Sequence, residues 1–205
     1  MNQSLPLFPL QAPDPEVPFL DAVDLVADIL HVCHDQMPGT RVAVAGGAAR
    51  DLAHRLAPRD IDLVLCPLNE DDEFVLLQAL ELDLGYKIVQ EFERVSGSAF
   101  LHDVKNTSDY EALEHDNRWS RVVKLACPGK LPVDLLVSTC DSLEDAIGLF
   151  DFNINQFAVL RPFTVPRFFG ESQGELIQNR EASVSPERKD HIQTIARKLG
   201  WSVPA

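Results

Sequence analysis

The stretch VAVAGGAARDLAHRLAPRDIDLVL, residues 42–65, decides the fold of this chain. Its apolar, partly β-branched start predicts a short strand over 41–45. A glycine pair follows as a turn, and residues 48–56 have the composition of a short helix. Residues 61–66 are again apolar and predict a second strand. This order of strand, turn, helix and strand is typical of a sheet with helices packed on it.

The glycine pair, Gly46 and Gly47, is a candidate phosphate-binding turn. Glycines after a strand let backbone N–H groups approach a phosphate closely, and the start of the following helix adds partial positive charge. Arg50 lies in the first turn of that helix and is placed to reach an anion there. Together with Arg59 it is also available to neutralise charge that develops during a reaction.

Asp60 and Asp62 are the candidate metal ligands. They flank Ile61 at the start of the second strand, and alternation places both carboxylates on one face, about 7 Å apart. Two such charges require either a positive group between them or access of water, and Mg²⁺, which takes oxygen ligands of this kind, would satisfy the first requirement. Asp134 is the single charge of a later apolar run, LPVDLLV. On a neighbouring strand it would complete a three-carboxylate site for two metal ions.

A structural role for the acidic pair is the alternative. Asp60 and Asp62 would then cap the end of a helix, or form a solvated ion cluster with Arg50, Arg55 and Arg59. Each of these features is weak alone, and only their order along the chain makes the functional interpretation specific.

The remaining sequence predicts an α+β (mixed α/β) domain. Apolar spacing and capping signals predict further helices over 19–36, 70–84, 141–149 and 186–199, with Asp141 as the N-cap of the third and Ser185 as that of the fourth. Further strands are expected over 86–92, 122–127 and 132–137, the last two as a hairpin. Residues 152–160 are expected to be extended, 162–170 to form a loop, and 93–117 to form a long loop or insertion.

Composition limits the function classes. The 205 residues carry a net charge of −14, which argues against a protein coated in nucleic acid. Residues 161–205 hold seven basic and five acidic residues, so any phosphate-facing surface is local. Without a membrane-spanning run or a signal-peptide pattern, a cytoplasmic protein with no membrane contact is expected. The four cysteines are expected to be reduced, buried thiols.

Two motifs resemble the head domain of the tRNA nucleotidyltransferase and poly(A) polymerase family, the bacterial-type branch of the polymerase-β-like nucleotidyltransferases. The first is GGAARDL (46–52) followed by RDIDL (59–63), which is similar to the family's Gly-Gly-x-x-Arg-Asp turn and Asp-x-Asp strand. The second, DFNIN (151–155), shares Asp151, Phe152 and Asn155 with the family motif Arg-Arg-Asp-Phe-Thr-x-Asn. The closing helix resembles the first helix of the family's neck.

The resemblance implies a polymerase-β-like head over 19–165, after an irregular tail over 1–18, with a short neck-like helical extension over 166–205. It implies a metal-dependent nucleotidyltransferase that moves a nucleoside monophosphate from ATP or another nucleoside triphosphate to an acceptor hydroxyl, an RNA 3′ end, and releases pyrophosphate. The implied cofactor is Mg²⁺ or Mn²⁺. The implied catalytic and metal-binding residues are Asp60, Asp62 and Asp134. The implied nucleotide-binding residues are Gly46, Gly47, Arg50, Asp51, Arg59, Asp151 and Asn155.

The chain also departs from the family pattern. Leu149 and Phe150 replace the two arginines of the second motif, Asn153 replaces its threonine, and the neck motif Glu-Asp-x-x-Arg does not follow residue 156. These departures leave a second hypothesis open, an inactive nucleotidyltransferase fold that binds a nucleotide, RNA or a protein. They also favour a protein partner that helps to grip the acceptor.

Overall fold

The computed structural model describes residues 19–37, 39, 41–69, 71–93, 119–179 and 184–204. The helices are α1 (Phe19–Gln36), α2 (Gly46–Ala53), α3 (Asp71–Leu84), α4 (Leu143–Gly148) and α5 (Pro186–Lys198). The strands are β1 (Val42–Ala45), β2 (Ile61–Leu65), β3 (Lys87–Glu93), β4 (Trp119–Ala126), β5 (Val133–Ser138), β6 (Phe157–Val159) and β7 (Arg167–Phe168). A 3-10 turn, Asn153–Asn155, precedes β6. The expected α+β class is confirmed.

The seven strands form one mixed sheet in the order β3-β4-β5-β2-β1-β6-β7. Neighbouring strands are antiparallel except β2 and β5 at the centre, which run parallel. Their register places Ile61 beside Val133 and Asp62 beside Asp134. The centre of the sheet therefore joins two segments that are distant in sequence.

Side chains alternate across the sheet and build two core clusters. Odd-numbered positions of β2 and β5 point into the larger cluster, which also holds buried residues of α1, α3 and α5. Even-numbered positions, such as Val64 and Leu136, point into the smaller cluster with residues of α4. Asp62 and Asp134 follow the even-numbered alternation, so both carboxylates lie on the α4 side of the sheet.

The C-terminal helix forms as its capping signals predict. The Ser185 hydroxyl accepts the backbone N–H of Arg188 at 3.2 Å, and Pro186 is the first helical residue. Ile192 and Ala196 of α5 belong to the larger core cluster. The 166–205 segment thus packs on the same core, while its boundary with 19–165 stays a prediction.

Some local predictions are wrong. Gly46 and Gly47 are not a turn before the helix, because α2 begins at Gly46 itself, and Arg50 therefore lies in the last turn of α2 rather than in its first. The N-cap of α4 is Ser142 rather than Asp141, since the Ser142 hydroxyl accepts the N–H of Asp145 at 3.1 Å. The 152–160 segment is extended only in its second half, where β6 follows the 3-10 turn.

Two further expectations concern loops. The 162–170 loop contains the short strand β7, which pairs with β6. The tail over 1–18 lies outside the described residues, as does the insertion over 93–117 apart from its first residue, which ends β3.

All four cysteines are free thiols, as expected, but only two are buried. Burial raises the pKa of Cys33 to about 12 and that of Cys66 to about 11. Cys127 and Cys140 are partly exposed rather than buried. Within the described ranges, no helix has the length and apolar character needed to cross a membrane.

Candidate active site

Two carboxylates face each other at the centre of the sheet. Asp62 of β2 lies directly opposite Asp134 of β5, and neighbouring strands are about 4.8 Å apart. Each aspartate is the one partly exposed residue of an otherwise buried strand. Solvent therefore reaches both strands at the same register position, where each strand carries an aspartate.

The start of α2 lies against the Asp62 carboxylate. Gly46 has a φ of +65°, and a Cβ at this position would collide with the carboxylate oxygen of Asp62. The backbone N–H of Gly47 donates a hydrogen bond to Asp62. Glycine is therefore required for the close approach of strand and helix. The same contact supports the alternative in which Asp62 caps a helix end.

The surroundings of Asp62 disfavour its ionised form. Burial, together with the charges of Asp60 and Asp134, raises the pKa of Asp62 from 3.8 to about 8. The Gly47 N–H and the charge of Arg188 oppose this shift. Three carboxylates therefore act on one another at this point, and a positive charge between them would relieve the repulsion.

The carboxylates suit a divalent cation by donor type and charge. Asp60 immediately precedes β2 and is exposed to solvent. Among the residues that the structure describes, no three His, Cys, Asp or Glu side chains are grouped closely enough to form a metal site. Metal binding by Asp60, Asp62 and Asp134 consequently stays a prediction.

Arg50 is buried, with 7% of its surface exposed, and is held on two sides. Its Nε donates to Asp51 Oδ1 at 2.8 Å, and its Nη2 is 2.7 Å from the same oxygen. Its Nη1 donates to Asn155 Oδ1, also at 2.8 Å. Arg50 is thus a fixed positive charge that ties α2 to the 3-10 turn before β6.

Asp151 extends this network to α5. Its Oδ1 accepts a hydrogen bond from Asn155 Nδ2 at 3.1 Å, and its Oδ2 accepts one from Arg188 Nε at 2.9 Å. The chain of contacts runs from Arg50 through Asn155 and Asp151 to Arg188. It brings together four of the predicted nucleotide-binding residues, Arg50, Asp51, Asp151 and Asn155.

Basic side chains gather around His191 of α5. Partial burial lowers the pKa of His191, and the charges of Arg188, Arg59, Arg50 and Lys198 lower it further. His191 is therefore neutral at pH 7. The charge of Arg188 thus acts on both Asp62 and His191.

Arg188 and His191 are the site residues that sequence reasoning missed. The sequence carries only a general signal for them, the basic excess of residues 161–205. It does not indicate which of these basic residues contacts Asp151.

The fold is that of the CCA-adding enzymes. One match is a CCA-adding enzyme in complex with ATP, at a TM-score of 0.55 and 18% identity, covering 93% of this chain and 41% of that chain. An apo form I of a CCA-adding enzyme matches at a TM-score of 0.58 and 18% identity, covering 89% and 39%. An apo form II of a CCA-adding enzyme matches at a TM-score of 0.56 and 17% identity, covering 94% of this chain and 42% of that chain. The expected nucleotidyltransferase fold is thereby confirmed.

These comparisons establish the fold class. The reaction proposed below rests on the arrangement of the site residues. The chain spans about two-fifths of the length of the CCA-adding enzyme structures that it matches. No protein-family model matches the sequence, and no curated protein does so either.

Proposed function

We propose that this chain is a metal-dependent nucleotidyltransferase. It transfers a nucleoside monophosphate from a nucleoside triphosphate to an acceptor hydroxyl, an RNA 3′ end, and releases pyrophosphate. The observation that carries the proposal is the Asp62–Asp134 pair at the centre of the sheet, with the start of α2 against it. The shared fold with a CCA-adding enzyme in complex with ATP supports a nucleoside triphosphate as the substrate.

In this proposal Asp60, Asp62 and Asp134 hold Mg²⁺ or Mn²⁺. Bound divalent cations lower the pKa of the attacking hydroxyl and stabilise the pyrophosphate leaving group. Asp62 and Asp134 provide oxygen ligands from adjacent strands, and the exposed Asp60 provides one from the solvent side. In the same proposal Asp134 also accepts the proton of the attacking hydroxyl.

The triphosphate lies at the start of α2. In this proposal the backbone of Gly46 and Gly47 lines the triphosphate, although the Gly47 N–H donates to Asp62 in the free chain, and the helix terminus adds partial positive charge. Arg50 is fully held by Asp51 and Asn155, so it acts through its charge. The exposed Arg59 is available to phosphate oxygens, and the half-exposed Arg188 would have to leave Asp151 or reach them with its remaining N–H groups.

A binding function without catalysis is the second candidate. Two observations favour it: Asp62 already accepts the Gly47 N–H, and no three ligand-type side chains are grouped as a metal site within the described ranges. The chain would then bind a nucleotide, an RNA end or a protein through the same surface.

Thermal unfolding with each nucleoside triphosphate separates the two candidates. A ligand that binds only the folded state raises Tm. Because the proposed site holds the triphosphate together with a divalent cation, a transferase is expected to be stabilised by the nucleotide only when Mg²⁺ or Mn²⁺ is present. Asp62→Asn is expected to lose this effect, whereas Asp28→Asn, at an exposed position of α1, keeps it. Stabilisation that needs no cation, or that Asp62→Asn retains, contradicts the metal site and favours the binding function.

A further inference from the structure

A second surface, outside the candidate active site, carries an apolar stripe that the fold leaves uncovered. Helix α3 buries Leu76, Ala79 and Leu80 on its inner side. On its outer side Phe74 is 66% exposed and Leu82 is 74% exposed. A helix with apolar residues on both sides is typical of an element that is covered on both sides.

The outer apolar residues lie on one side of the helix, with Gln78 between Phe74 and Leu82. With 3.6 residues per turn, Phe74, Val75 and Leu82 lie within about 100° of the helix circumference. Polar or charged exposed residues lie in and beside the same arc. We call this surface the outer α3 face, which comprises Asp71, Phe74, Val75, Gln78, Glu81 and Leu82.

The surroundings of the outer α3 face are also apolar and acidic. Six of the eleven large hydrophobic residues exposed in the described ranges fall within 68–89, namely Leu68, Phe74, Val75, Leu82, Ile88 and Val89. The same segment contains six acidic residues and one basic residue, Lys87. Lys87 is paired with Glu81, and Arg121 of β4 is paired with Glu73. Asp71, Asp72 and Asp83 carry the remaining negative charge of α3. The surface therefore combines exposed apolar area with excess negative charge.

We propose that the outer α3 face docks a basic amphipathic helix of a protein partner. The apolar side of such a helix would cover Phe74, Val75 and Leu82, as in helix-in-groove recognition. Its Lys and Arg residues would face the acidic residues at the margin, beginning with Asp71. A second copy of this chain fits less well, because it would bring the same negative charge to the interface. The proposal goes beyond nucleotide transfer and does not depend on it.

Fluorescence anisotropy with a synthetic peptide tests this interface on the full chain. The probe is a labelled helix of about 18 residues, or five turns, with a leucine stripe flanked by Lys and Arg. A scrambled peptide of the same composition measures charge attraction alone. We expect the amphipathic peptide to bind at least about tenfold more tightly than the scrambled one, because only it can cover the stripe.

Two matched double variants locate the contact. Phe74→Ser/Leu82→Ser is expected to abolish the tenfold preference. Phe163→Ser/Leu20→Ser removes a Phe and a Leu that are 69% and 70% exposed elsewhere, and it is expected to keep the preference. Gln78→Lys, at an exposed position within the stripe, provides a second variant should the serine variant unfold. It is expected to weaken the preference, because only the amphipathic peptide would have to bury the new charge against its apolar side.

Several outcomes would overturn the proposal. These are equal binding of both peptides by the wild type, or a preference that survives both Phe74→Ser/Leu82→Ser and Gln78→Lys. Sedimentation velocity adds a third outcome. A wild-type dimer that Phe74→Ser/Leu82→Ser converts to a monomer would assign the face to a second copy of this chain instead.

Discussion

Asp62→Asn is expected to stabilise the protein when no divalent cation is present. Asparagine keeps the size of the side chain and an oxygen that accepts the Gly47 N–H. It removes the charge that burial and the carboxylates of Asp60 and Asp134 disfavour. The substitution thus tests whether the Asp62 carboxylate lowers the free energy of unfolding, separately from its contribution to function.

The size of this effect follows from the pKa of Asp62. The value is about 8 in the folded protein against 3.8 for an ordinary aspartate. Between these pH values the folded state keeps a proton that the unfolded state has lost, so stability falls as pH rises. The slope is about 1.4 kcal/mol per pH unit. At pH 7 the wild type is expected to be less stable than Asp62→Asn by about 2–4 kcal/mol, the lower figure allowing for solvent screening at this partly exposed site.

Urea denaturation with a chelator, at about pH 5 and about pH 8, measures the difference. The advantage of Asp62→Asn should be about 1 kcal/mol at the lower pH and increase at the higher pH. Asp28→Asn, at an exposed position, should stay within about 0.5 kcal/mol of the wild type. An advantage that is independent of pH, or a variant less stable than the wild type, would refute this account of Asp62.

Urea denaturation of four further variants tests three contacts around the site. Gly46→Ala should lower the free energy of unfolding by about 2–4 kcal/mol, because of the positive φ of Gly46 and the collision with Asp62. The added Cβ of Gly47→Ala meets only a side chain at 3.5 Å, so this control should lose less than about 1 kcal/mol. Equal losses would refute the packing argument. Asn155→Ala removes an acceptor from the buried arginine of α2 and should cost about 2–3 kcal/mol, so a neutral result would show that water replaces it. Ser185→Ala removes the N-cap of α5 and should cost about 1 kcal/mol, and an unchanged midpoint would mean that the cap is dispensable.

Elements with strong local signals could be predicted from the sequence. The apolar spacing of 19–36 predicts the bounds of α1 as the structure has them. Ser185, Pro186 and Gly200 mark α5 at both ends, and Gly200 follows the helix with a φ of +76°. Asp134 could be predicted as a neighbour of the acidic strand, because a carboxylate in a buried strand needs a polar environment.

Features that depend on tertiary contacts could not be predicted. Gly46 and Gly47 have the composition of a turn, but α2 begins at Gly46, with both glycines against the Asp62 carboxylate of a neighbouring strand. Arg188 reaches Asp151 from a helix 37 residues later in the chain. No local pattern encodes such a pairing, since it depends on how α5 packs on the sheet.

Nucleotide transfer itself is the most direct test of the central claim. Purified protein with Mg²⁺ or Mn²⁺ is given each α-labelled nucleoside triphosphate and a mixture of cellular RNA and protein, beside Asp60→Asn/Asp62→Asn and Asp28→Asn. The account predicts label in RNA with the wild type and Asp28→Asn, and none with Asp60→Asn/Asp62→Asn. Absence of label above the Asp60→Asn/Asp62→Asn background under every condition would contradict the proposed transferase.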